Sequence, residues 1–126
     1  MGRLALALAI LLAVAAPAAA RFRMPDSTSG AKRCAADLRT REGSHFRVYV
    51  TEGRRLVSCR RARSIVRQGV NVHGWRYYDW TKGGNGPWSD VWRRRDHRAV
   101  VGAVLRCVEG LDNDDDLPPC YESRQP

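Results

Sequence analysis

Ser58-Cys59-Arg60-Arg61-Ala62-Arg63-Ser64-Ile65-Val66-Arg67-Gln68-Gly69 is the stretch on which the fold turns. Cys59, Ala62, Ile65 and Val66 fall at i, i+3, i+6 and i+7, one face of an α-helix, while Arg60, Arg61, Arg63 and Arg67 take the other. Ser58 can accept a backbone N–H of the first turn, and Gly69 supplies the stop. The flanks carry the shorter period of strands. Upstream, Phe46-Arg47-Val48-Tyr49-Val50 alternates and is β-branched, and Gly53-Arg54-Arg55 turns the chain into the helix. Downstream, Trp75-Arg76-Tyr77-Tyr78-Asp79-Trp80 is aromatic and strand-like, and Lys82 to Pro87 forms a glycine-rich loop. Ser89 to Arg95 resumes as a strand, and Asp96-His97 turns it. Ala99 to Cys107 is apolar on both faces, which suits a central strand covered by the helix on at least one side. The order β-α-β-β-β predicts a small single α+β domain, one helix packed on a mainly antiparallel sheet.

The first twenty of the 126 residues read as an export signal. Arg3 gives the positive start, Leu4 to Val14 is an uninterrupted apolar run, Pro17 breaks it, and Ala18-Ala19-Ala20 supplies the small residues of a cleavage site. Cleavage before Arg21 leaves no membrane span and implies a secreted, extracellular protein. Residues 21–33 hold Pro25, Ser27, Thr28, Ser29 and Gly30 and read as a flexible leader. The domain itself is placed at 34–107, with an acidic tail at 108–126. Export also sets the reading of Cys34, Cys59, Cys107 and Cys120: an even set in a short secreted chain means two disulfides, in any of three pairings. No C-x-x-C pair is present, so neither zinc nor any other cofactor is implied.

Charge is unevenly divided. Residues 21–107 hold 20 Lys and Arg against 7 Asp and Glu, whereas residues 108–126 hold Arg124 against six acids. A basic body suits an anionic partner, such as a cell-wall polymer or other polyanion. It equally suits self-neutralisation by the tail, and the near-exclusive use of Arg over Lys is a pattern that GC-rich coding also produces.

Three stretches offer chemistry. Trp75, Tyr77, Tyr78, Trp80, Trp88 and Trp92 crowd together beside Arg76 and Arg93, so these eight residues are the candidate binding set. Rings among cations suit stacking on bases or sugars, and they also suit a core. On a strand, Trp75 and Tyr77 face one side and Arg76, Tyr78 and Trp80 the other. Asp112-x-Asp114-x-Asp116, followed by Cys120 and Glu122, resembles the Excalibur calcium-binding motif D-x-D-x-D-G-x-x-C-E, which makes these carboxylates weak calcium candidates. Leu117 stands in place of its glycine and Tyr121 separates Cys120 from Glu122. For catalysis, Glu42 or Glu52 with His97 could be cast as the base and acid of a small ribonuclease, although no spacing supports it. No catalytic residue is assigned.

Cys34, Phe46 to Val50, Val57-Ser58-Cys59-Arg60-Arg61-Ala62-Arg63 and Gly74-Trp75 together resemble a group of small secreted actinobacterial proteins with a V-S-C-x-x-A-R helix start and a G-W-x-C strand. The likeness covers about residues 34–76. It implies secretion and a disulfide-bearing α+β domain, without a mechanism. Tyr77 stands where the group has its third Cys, and its fourth, expected near Val91 to Arg93, is absent as well. Loss of those two together implies the pairing Cys34–Cys59, leaving Cys107–Cys120 to tether the tail. The leading expectation is therefore a secreted non-enzymatic domain that binds an anionic or carbohydrate surface. The alternatives are a secreted nuclease or other hydrolase, and a structural envelope protein with no ligand.

Overall fold

The computed structural model describes residues 22–110 and 117–120. Within them the chain runs β1 (Lys32–Arg39), β2 (Ser44–Glu52), α1 (Cys59–Gln68), β3 (Trp75–Asp79), β4 (Asp90–Arg94) and β5 (Val100–Val108). The strands form one antiparallel sheet in the order β1-β2-β5-β4-β3. The α+β class is thus realised, with β5, apolar from Val100 to Leu105, at the centre. One strand precedes those expected. Lys32-Arg33-Cys34-Ala35-Ala36-Asp37-Leu38-Arg39 has few β-formers, and only Cys34 and Leu38 of it are buried. Its pairing with β2 shifts register twice, so no clean alternation marks it in the sequence.

The helix forms where its period placed it. Ser58 accepts the Arg61 N–H at 3.0 Å, and Gly69, at φ 82°, closes the other end by donating to the Ile65 carbonyl. Ala62, Ile65 and Val66 face the sheet and meet Val48, Val50, Val101 and Trp92. The Trp92 indole N–H donates to the Gly69 carbonyl at 2.8 Å, pinning the helix end to β4. Cys34–Cys59 bonds the edge strand β1 to the first turn of α1, and Cys107–Cys120 holds the segment after β5 beside it. Each closure contributes about 3 kcal/mol by chain-entropy arguments.

The opposite sheet face has a core of its own. Phe22, Met24, Tyr49, Trp80, Trp88, Val91 and Val100 pack there, with Met24 only 2% exposed. The segment read as a flexible leader is therefore a packed layer. Its low apolar content concealed this, because two residues, Phe22 and Met24, do the burying. Asn85 fastens it: its side-chain amide donates to the Met24 carbonyl and to Asp26, and its side-chain oxygen accepts the Met24 N–H. The Trp88 indole donates to the Pro25 carbonyl at 2.7 Å, and the Trp80 indole to the Asn85 carbonyl at 2.9 Å. The glycine-rich loop is thus tied to this layer through Asn85. Gly102 completes the layer: a Cβ there would lie 2.6 Å from the Trp88 ring, so only glycine lets the indole rest on β5. Among the described residues no helix is long and apolar enough to cross a membrane.

Candidate functional site

The eight-residue binding set separates into two groups. Trp75, Tyr77 and Trp92 lie in the core under α1, whereas Tyr78, Trp80 and Trp88 lie in the core on the other face. All four indoles are buried, the most exposed of them at 7%. They pack as core on both faces, one of the two readings the sequence left open, and leave no indole face exposed for stacking. A sheet covered on both sides needs rings on both sides, which is what the crowding in sequence meant. Tyr77 donates to Asp90, and its phenol is pushed well above the ordinary range by burial and then by that carboxylate.

The cations of the set remain accessible. Arg76 on β3 and Arg93 on β4 stand directly opposite one another in the ladder, on the face away from α1. Like charges at such positions repel. Among the described residues neither has a carboxylate partner, and the Arg93 Nε is buried without a hydrogen bond. Their guanidinium groups are held by aromatic faces instead: Arg93 lies 4.6 Å from the Phe22 ring centre and Arg76 5.4 Å from that of Tyr78. With Arg94, Arg95 and His97 they line a cleft of about 110 Å³ that has no carboxylate in its wall. Arg94 is neutralised by Asp96 at 2.7 Å, which drops the Asp96 carboxyl to about 2, the Arg94 hydrogen bond being the main cause. Arg76, Arg93 and Arg95 keep their charge unanswered within the described residues.

The structure positions this cluster by two ordinary devices. Strand alternation sends Arg76 and Arg93 to the same face, and the β4–β5 turn, with His97 at φ 66°, brings Arg95 and His97 to its rim. Arg95 donates its backbone N–H to the Gly74 carbonyl, which fixes the end of the hairpin. The cleft can therefore hold one oxyanion between planar donors.

The ribonuclease casting gains no geometry. Glu42 sits in the β1–β2 turn, at the end of the sheet opposite His97. Glu52 ends β2 nearer to His97, but no hydrogen bond joins them among the described residues. Asp112, Asp114 and Asp116 lie outside the described residues.

A second constellation was not anticipated. His45 on β2 is held between Asp37 of β1, at 2.9 Å from Nδ1, and Glu109 after β5, at 2.9 Å from Nε2. Arg106 pairs with Asp37 and Arg39 with Glu109. Hydrogen bonds to Glu109 and then Asp37 raise the His45 pKa, and the same contacts lower both carboxyls. Partners eight and 64 positions away leave no spacing signal in the sequence. His45 also lies close to Cys107 and Cys120, whose sulfurs are committed to their disulfide.

Compared with protein-family models, with curated proteins and with solved structures, the chain matches none.

Proposed function

We propose that this is a secreted, non-enzymatic domain that binds an anionic polysaccharide of the cell envelope through the cleft of Arg76, Arg93 and Arg95. The observation that carries the reading is the Arg76–Arg93 pair. Two arginines placed opposite each other on one sheet face, one with a desolvated and unpaired Nε, weaken the free protein unless an anion bridges them. Membership of the secreted actinobacterial group belongs to the same proposal, and the two disulfides accord with an oxidising compartment.

The partner is assigned by what the surface offers. Bases bind single-strand readers largely by stacking on exposed rings, and here the indoles are buried. A polymer with repeated sulfate or phosphate groups needs only spaced guanidinium donors.

The test is retention of the oxidised protein on immobilised heparin over a salt series. Affinity should fall steeply with salt, and Arg76→Gln with Arg95→Gln should weaken it at least about tenfold, two charge-assisted contacts being removed. Salt-independent retention, or an unchanged double variant, refutes the reading. Release of soluble nucleotides from RNA, lost in His97→Ala, would establish the hydrolase alternative instead.

A further inference from the structure

A second face of the molecule carries the same chemistry. Between Gly53 and Tyr78 the sequence has seven Arg and no Asp or Glu. Six of these, Arg54, Arg55, Arg60, Arg61, Arg63 and Arg67, lead into α1 or lie along it. None of the six enters an ion pair among the described residues. Arg63 gives one N–H to the Cys34 carbonyl, while Arg60, Arg61 and Arg67 are exposed.

Helical geometry aligns these charges. Arg60, Arg63 and Arg67 stand at i, i+3 and i+7, a stripe about 10 Å long at 1.5 Å per residue. The stripe runs into an open groove of about 870 Å³ between the helix end and the β1–β2 turn, where Arg41 joins Arg67 and Glu42 is the one carboxylate in the wall. Such a helix is poorly chosen for its own stability. Arg60 and Arg61 occupy the first turn, where the helix dipole disfavours cations, and no acid in that turn offsets them. Acids do occur in this chain beside basic residues elsewhere, at Asp37, Asp79, Asp96 and Glu109. Glu109 reaches the groove wall through Arg39, but none of these acids pairs with an arginine of α1.

The stripe and the Arg76–Arg93 cleft open on opposite faces of the sheet, since α1 covers one face and Tyr78 and Phe22 mark the other. We infer that the α1 stripe and its groove form a second site for an anionic polysaccharide, so that one domain bridges two polymer chains. A linear polymer suits it better than a single small anion, because the charges form an open row. The inference rests on the function proposed above, but it requires both faces.

Titration calorimetry of the oxidised protein with a heparin tetrasaccharide tests it. Two tetrasaccharides should bind per chain. The variant Arg60→Gln/Arg61→Gln/Arg67→Gln and the variant Arg76→Gln/Arg95→Gln should each bind one. Long-chain heparin should turn the native protein turbid near charge equivalence, while both variants stay clear. Only one bound tetrasaccharide in the native protein, lost with Arg76 and Arg95 but kept in the helix variant, overturns the second site and leaves the first. Two sites retained in the helix variant overturn it as well. No binding at all overturns both readings, and tighter binding of a single-stranded DNA of equal charge overturns the choice of polysaccharide.

Discussion

Met24→Ala should remove about 2–3 kcal/mol of stability. Met24 is 2% exposed, and its terminal methyl lies over Gly102, at 2.8 Å from where a Cβ would stand. Truncation deletes about three methylene-sized groups, worth roughly 0.8 kcal/mol each in transfer free energy. Cavity formation would normally add to this, and buried Met→Ala changes span about 2–5 kcal/mol. The lower half applies here, because the layer is a short segment able to collapse onto the gap. For a domain of this size, about 4–8 °C is lost per kcal/mol, so the melting temperature should fall by about 10–20 °C. Thermal denaturation of the oxidised protein, followed by tryptophan emission, reads both the shift and the wetting of Trp80 and Trp88. Arg23→Ala is the control: its side chain is 75% exposed and its change should stay within about 0.5 kcal/mol. A Met24→Ala melting temperature within about 2 °C of the parent would mean that residues 22–31 are not a structural layer.

Gly102→Ala should destabilise by about 1–3 kcal/mol through overpacking against the Trp88 ring, and urea midpoints would show it. His45 bears on pH. Its raised pKa means that its contacts stabilise fully below about pH 6.5 and fade as pH rises through the folded value. Asp37 and Glu109, with lowered values, hold their share above the ordinary carboxylate range and lose it on acidification. Urea midpoints of the native protein should thus decline from pH 6 to 9, and His45→Gln should flatten that decline; parallel curves would count against the ring of contacts. Cleavage before Arg21 is expected on export, and intact mass would check it. A cut beyond Met24 would contradict both the signal and the packed layer.

What could be read from the sequence followed local pattern. Ala62, Ile65 and Val66 showed the helix because a 3.6-residue period needs no knowledge of partners, and Val100 to Ala103 showed the central strand because apolar side chains on both faces demand cover on both. That pattern asked for the helix on at least one side and named no layer on the other. The second layer went unassigned because it is two residues, Phe22 and Met24, held by Asn85 from 61 positions away. β1 escaped because its bulged pairing with β2 borrows regularity from the neighbour. The candidate site divides along the same line. Alternation correctly placed Arg76 and Tyr78 opposite Trp75 and Tyr77, yet it could not say that both faces were interior. Once both are, the rings are needed for packing, and only what projects past them is left to solvent. Arg76 and Arg93 are neighbours only through the β3–β4 register, which shifts their meaning from two basic residues among twenty to one opposed pair. A slip of one residue would send Arg93 to the face under α1 and put Trp92 opposite Arg76. The register that buries Trp92 under the helix is therefore the same one that sets the two arginines against each other, and the core and the cleft stand or fall together.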